Sequence, residues 1–157
     1  MIPQLSKFKE LIIQAGEKHQ ISPTLISAIV MQESAGEPWS YRYESAIKYE
    51  VSISLYSKKL RISMDTERNF QHCSWGLMHI MGFKARELGF EEHLPQLLLP
   101  SYGLDWGCRA LSGFSKKYNR LQDVIVSYNS GSPQLLPNGL YRNQSYLDGV
   151  VAWMKMV

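Results

Sequence analysis

The sequence predicts a mainly α-helical protein built around one core. Three observations predict that class. Apolar residues recur at three- and four-residue spacings through most of the chain, helix-starting and helix-breaking residues bracket those stripes, and no repeat, low-complexity tract or linker divides them. With 157 residues, 45% of them hydrophobic, the chain is long enough for one packed domain and short for two, so residues 1–157 are read as a single domain with one cleft.

Leu5, Phe8, Leu11, Ile12 and Ala15 describe an amphipathic first helix ending between Gly16 and Gln20. Ser22 is a good N-cap and Pro23 a good first-turn residue for a second helix, whose stripe of Leu25, Ile26, Ile29 and Val30 runs until Gly36 and Pro38 break it. Residues 44–60 carry two patterns: a helix, or a strand in which Val51, Ile53 and Leu55 alternate with Ser52 and Ser54. The stretch 39–73 is therefore expected to be a short β or irregular insertion. From Ser63 to Trp75 the chain is polar and irregular, after which Gly76, Gly82 and Gly89 punctuate loops and short helices. Leu104, Cys108, Leu111 and Phe114 mark a further helix, Leu121 to Tyr128 a shorter one, and Tyr146, Val150, Trp153 and Met154 the last, with a loop at 130–139 before it.

A formal charge of only +3, with Lys and Arg scattered, supplies no footprint for a phosphate backbone, so nucleic acid is not an expected partner. The mild positive balance is compatible with approach to an anionic bacterial envelope. No apolar run approaches the length of a membrane span, and Lys7, Lys9 and Glu10 interrupt the region where a secretory signal needs an apolar core. Stable membrane insertion and a signal peptide are thus not expected, and nothing demands an oligomer, so a monomer is. Cys73 and Cys108 suit synthesis in a reducing compartment, with a pairing between them left open. His19, His72 and His93 lack metal-ligand spacing and are expected in surface or capping roles.

One acid stands out. Glu33 lies seven, four and three residues beyond Ile26, Ile29 and Val30, so a continuous helix carries its carboxyl onto the apolar stripe. Desolvation disfavours the charged form, and a carboxyl that keeps its proton near neutral pH can act as a general acid, as glycosidic cleavage requires. Periodicity alone favours the plainer reading, a solvated glutamate in a terminal turn.

Four short motifs, in order, resemble the soluble lytic transglycosylases and the related goose-type lysozymes. Ile29-Val30-Met31-Gln32-Glu33-Ser34 is similar to the family's helix-ending Glu-Ser pair. Ser74-Trp75-Gly76-Leu77-Met78-His79 resembles its Gly-Leu-Met-Gln turn preceded by serine, and Ser127-Tyr128-Asn129-Ser130-Gly131 its Ala-Tyr-Asn-x-Gly motif. Tyr146, in Asn143-Gln144-Ser145-Tyr146-Leu147, sits where the family has a cleft tyrosine in its last helix. Each motif alone is weak, whereas the four in order span most of the chain.

The resemblance implies a lysozyme-like helical domain that cleaves the β-1,4 bond between N-acetylmuramic acid and N-acetylglucosamine in peptidoglycan, with Glu33 as sole acid/base and neither metal nor organic cofactor. It implies that Ser74, Met78, His79, Tyr128, Asn129 and Tyr146 bind the glycan or line its cleft. His79 departs from the family glutamine; it keeps hydrogen-bonding capacity but introduces a group that titrates near neutral pH. The insertion at 39–73 is longer than in many members and is expected to form an extra wall or lid. Its Trp39–Glu44 segment resembles phage-encoded members, and a small chain of this kind resembles a lysis or virion-associated enzyme made in a host cytoplasm and acting on the periplasmic wall.

A ring-closing reaction needs no water nucleophile and hence no second carboxylate, unlike ordinary two-carboxylate glycosidases. Candidates for such a second acid are Glu37, Glu44, Asp65 and Glu67, most of them expected to be solvated. Glu44 is the one singled out, with Arg42 as a local partner. If it positions water, the enzyme is a hydrolytic muramidase; a third reading is a glycan-binding virion protein without catalysis.

Overall fold

The computed structural model describes residues 2–157. Its first helix comes in two pieces, a tight 3-10 segment at Pro3–Phe8 and then α1 (Lys9–His19), which ends where Gln20 adopts left-handed backbone and its N–H closes on the Gly16 carbonyl. Pro3 opens the tight piece, and such turns are common at helix starts. α2 (Pro23–Ser34) begins at Pro23 as expected, but the Ser22 hydroxyl makes no capping hydrogen bond; the Ser22 carbonyl instead accepts from Ile26 N–H.

Every residue of α2 from Leu25 to Met31 is buried, so this helix is enclosed on all sides rather than along one stripe. α8 (Gln144–Met154) lies against it, α1 packs on α6 (Pro100–Lys117), and α7 (Leu121–Ser130) joins α6 to α8. Close approach of α8 to α2 is possible because Gly149 presents only hydrogen to Gln32; a Cβ there would stand 2.3 Å from the Gln32 amide oxygen.

The insertion contains both secondary structures its pattern allowed. β1 (Tyr41–Tyr43) pairs antiparallel with β2 (Cys73–Trp75), Tyr41 opposite Trp75, and β2 pairs with β3 (Ile80–Met81), giving the order β1-β2-β3. The ambiguous segment resolves into irregular chain followed by α3 (Ile53–Leu60). Ile53, Tyr56 and Ser57 are buried at helical spacing while Leu55 is exposed, so the alternation that suggested a strand does not follow the buried face.

α4 (Met64–Gln71) forms inside the polar stretch, capped by the Ser63 hydroxyl, which accepts from Thr66 N–H at 3.0 Å. Its buried face is polar, which is why apolar periodicity does not reveal it. Glu67, expected to be solvated, is fully buried and paired with Arg86 of α5 (Gly82–Glu87) through two hydrogen bonds of 2.8 and 3.0 Å. Gln71 donates to the same carboxylate, while Arg86 also donates to the Phe90 and Glu92 carbonyls and lies over the Tyr56 ring. The desolvation of both charges is thereby offset by a satisfied network.

Two histidines likewise differ from the surface roles expected of them. His19 is hydrogen-bonded to Asp105 of α6 at 2.6 Å, and His72 is buried with its Nε2 3.3 Å from Glu50. Cys73 and Cys108 are both buried and free, and burial pushes the Cys108 thiol up to about 12. Among the described residues no helix is long and apolar enough to cross a membrane.

The main core is formed by α1, α2 and α6–α8; a second, containing Trp75, Ile80, Phe90, Leu94 and Leu97, lies beneath the small sheet. Tyr128 packs against both. The cleft opens beside this junction.

Candidate active site

Glu33 occupies the last turn of α2, immediately before Ala35 turns the chain with left-handed backbone. The neighbouring Ser34 hydroxyl reaches the Leu77 carbonyl at 2.8 Å and so ties the helix end to the turn at residues 76–79. That turn requires Gly76, which combines a φ of +72° with a position where a Cβ would lie 2.3 Å from the Leu97 carbonyl oxygen. The Glu-Ser pair and the glycine turn, separate in sequence, are therefore one structural unit.

The Glu33 side chain is 13% exposed. The Tyr146 hydroxyl, delivered by α8, donates to its Oε1 at 2.6 Å. His79 Nδ1 lies 3.7 Å from Oε2, beyond hydrogen-bonding range, while His79 Nε2 meets the Ser40 hydroxyl at 2.6 Å. Burial raises the Glu33 pKa above the ordinary carboxylate value; the Tyr146 hydrogen bond and the positive Arg42 oppose that rise, and Glu44 adds to it. Burial and Arg42 lower the His79 pKa, against an upward pull from Glu44. Both shifts favour the uncharged forms of this pair.

A cavity of about 410 Å³ opens in front of Glu33. Tyr128 and Asn129 of α7 form one side; Arg42, Glu44, Ser74 and His79, from the sheet and its turns, form the other. Arg42 and Glu44 are joined as an ion pair. The Tyr128 hydroxyl donates to the Met78 carbonyl at 2.8 Å, linking α7 to the glycine turn, and burial together with nearby Glu33 holds its pKa well above the usual phenol value. Asn129 accepts a hydrogen bond from Asn143, which also donates to the Val126 carbonyl, so the loop before α8 is fastened to the end of α7.

Thus Glu33, Glu44, Ser74, His79, Tyr128 and Asn129 all line one cavity, and Tyr146 reaches it through its bond to Glu33. Met78, expected among the glycan contacts, does not join them. Its side chain is fully buried over Gly107, with its sulfur 3.8 Å from Cys108 Sγ, and only its carbonyl contributes, by holding Tyr128. The Ser74 hydroxyl is nearly buried and points to the Arg42 carbonyl at 3.4 Å.

Ile47, Phe83, Lys84 and Phe114 also line the cavity and were not anticipated. They come from the irregular insertion, a six-residue helix and the rim of α6, where no local pattern indicates which face meets a cleft. Among the described residues, no group of three or more His, Cys, Asp or Glu side chains is placed to hold a metal ion. Chemically, the site offers a largely buried carboxyl whose protonated form is favoured by that burial, a phenol hydrogen-bonded to it and a groove that combines apolar and hydrogen-bonding walls.

Residues 10–145 match the family model described as the transglycosylase SLT domain. No curated protein and no solved structure matches the chain.

Proposed function

The chain belongs to the transglycosylase SLT domain family, whose members are lytic transglycosylases that cleave the glycosidic bonds of peptidoglycan, and on that premise we propose that Glu33 is the single acid/base of this enzyme. In this reading residues 1–157 work as one catalytic domain acting on the β-1,4 bond between N-acetylmuramic acid and N-acetylglucosamine. The observation that carries it is a carboxyl buried at the head of the cleft, with its pKa raised by that burial and one oxygen held by Tyr146.

Glu33 begins the cycle protonated. As the C1–O bond breaks, its proton passes to the leaving glycosidic oxygen and the carboxyl becomes a carboxylate. The muramic C6 hydroxyl oxygen then bonds to C1 and surrenders its proton to that carboxylate. The sugar ends as a 1,6-anhydro ring and Glu33 returns to its starting state, with no water consumed. Tyr146 stabilises the transient anion, whose Oε1 already accepts its hydrogen bond. Tyr128, Asn129, Ser74, His79 and Glu44 are assigned to the walls that receive the glycan, and Met78 to support of Tyr128.

Hydrolysis is the rival, and Glu44 is its best candidate for a second carboxylate. Of the four acids considered, Glu67 is consumed by Arg86, Asp65 pairs with Arg68, and Glu37 accepts from Trp39 N–H, leaving Glu44 as the one in the cavity wall. Its carboxylate is already engaged by Arg42 in an ion pair rather than free to orient a water, which favours ring closure. Mass spectrometry of the muropeptides released by the wild type tests the choice, because an anhydro end lacks the elements of water that a reducing end contains. Reducing ends alone would replace this reading with hydrolysis. Glu33→Gln should abolish release while leaving binding to insoluble peptidoglycan intact; a variant that still releases fragments would remove Glu33 from its assigned role.

A further inference from the structure

We propose that His79 is a positioning residue for Glu33, a hydrogen-bond donor held out of contact while the acid is protonated and engaged when Glu33 ionises. This rests on the reading of Glu33 as acid/base. The geometry behind it is the placement of His79 Nδ1. The atom is buried, has no hydrogen-bond partner and lies 3.7 Å from Glu33 Oε2, whereas the opposite ring nitrogen is anchored to Ser40 at 2.6 Å. An unpartnered polar atom in so enclosed a place is costly unless something calls on it.

The hydrogen inventory accounts for the gap. Tyr146 donates to Oε1, so the proton of the neutral acid resides on Oε2, the oxygen that faces His79. In the proposed tautomer the Ser40 hydroxyl, 2.6 Å from Nε2, is the donor of that contact, and the neutral imidazole carries its hydrogen on Nδ1. Two hydrogens then oppose each other and hold the pair beyond bonding range. Once Oε2 gives its proton to the leaving oxygen, that conflict vanishes, and a movement of less than 1 Å closes an N–H···O⁻ bond of ordinary length. His79 transfers no proton. It stabilises the carboxylate during the interval before the C6 hydroxyl proton arrives.

The backbone supports this role. His79 has a positive φ of 46°, unusual for a residue with a side chain, and its N–H closes the turn on the Gly76 carbonyl. The turn is fixed to α2 by Ser34 and to α7 by Tyr128, so ring and carboxyl are set by shared supports. The charged and titratable groups around the ring are Glu33 of α2, Tyr128 of α7, Tyr146 of α8, Arg42 and Glu44 of the wall containing β1, and Lys84 of α5 across the cavity. Burial of the ring and the positive Arg42, against an opposing pull from Glu44, lower the His79 pKa and so favour the uncharged imidazole on which this role depends.

The test compares pH–rate profiles of wild type, His79→Leu, His79→Gln and Ser40→Ala on soluble glycan strands. His79→Leu should lower kcat about 10- to 100-fold, the worth of a hydrogen bond to a charged group, with KM little changed. Because the carboxylate loses a donor, its pKa rises and the alkaline limb should move to higher pH. His79→Gln, with an amide that can donate, should recover most of kcat, and Ser40→Ala, which frees the ring, should produce a smaller change in the same direction. A folded Leu variant with unaltered kcat and alkaline limb, or with its loss confined to KM, overturns the proposal. If that variant does not fold, an unmoved limb in Ser40→Ala does so instead. Activity in Glu33→Gln would remove the underlying acid assignment, whereas inactivity there beside an unaffected Leu variant would remove only the role of His79.

Discussion

Replacing Tyr146 with Phe removes a single hydroxyl, the one donated to Glu33 Oε1 at 2.6 Å, and leaves the ring that packs against the main core. Hydrogen bonds to charged groups contribute about 1.5–3 kcal/mol, and Glu33 is largely shielded from water, so little of that is recovered by solvation. Loss of that donor, which opposes the effect of burial, should raise the Glu33 pKa further above its already raised position. Glu33 must hold a proton to begin the cycle, so activity is lost as pH rises through its pKa. The variant's alkaline limb should accordingly move to higher pH, while kcat on the plateau falls about 10- to 100-fold because the carboxylate formed in the first step has lost a donor. The assay is the initial rate of glycan release across pH, with far-UV circular dichroism to establish the fold. An alkaline limb that stays in place while kcat falls would refute the link between Tyr146 and the ionisation of Glu33.

Glu33→Gln should stabilise the protein at neutral pH. Its raised folded-state pKa means that stability present below the ordinary carboxylate value is lost as pH rises through the folded value, and an amide avoids that loss; the gain in Tm should disappear in acid, where both states of Glu33 are protonated. Gly76→Ala should cost on the order of 3 kcal/mol, since it combines an unfavourable φ with a clash against the Leu97 carbonyl, and thermal unfolding should show a Tm lower by roughly 10 °C. Glu67→Gln leaves Arg86 buried without its counter-charge and should destabilise by about 3–5 kcal/mol, whereas Asp65→Asn, on the exposed side of the same helix, should leave Tm almost unchanged. Equal effects of those last two substitutions would contradict the buried ion pair.

The helical class and most helix positions were legible because apolar stripes at Leu25–Val30, Leu104–Phe114 and Tyr146–Met154 are local signals, produced by the same periodicity that buries them. α4 was not legible, since Glu67 and Gln71 fill its buried face and only Arg86, nineteen residues beyond Glu67, makes that burial tolerable. Met78 was misplaced for a related reason. Motif order brings its segment to the cleft, but the space over Gly107 decides that its side chain turns inward.

Glu33 shows where the division falls. Sequence alone determined that an acid sits at the end of an apolar helix and, through four ordered motifs, pointed to Ser74, His79, Tyr128, Asn129 and Tyr146 as neighbours of it. It did not determine the environment of the carboxyl. That depends on Tyr146, 113 positions away, on a Gly149 that lets α8 come close, and on a glycine turn that holds His79 just short of contact. Periodicity reports which face a helix buries, whereas a proton's affinity depends on atoms a few ångströms away, and those are brought together only by tertiary packing.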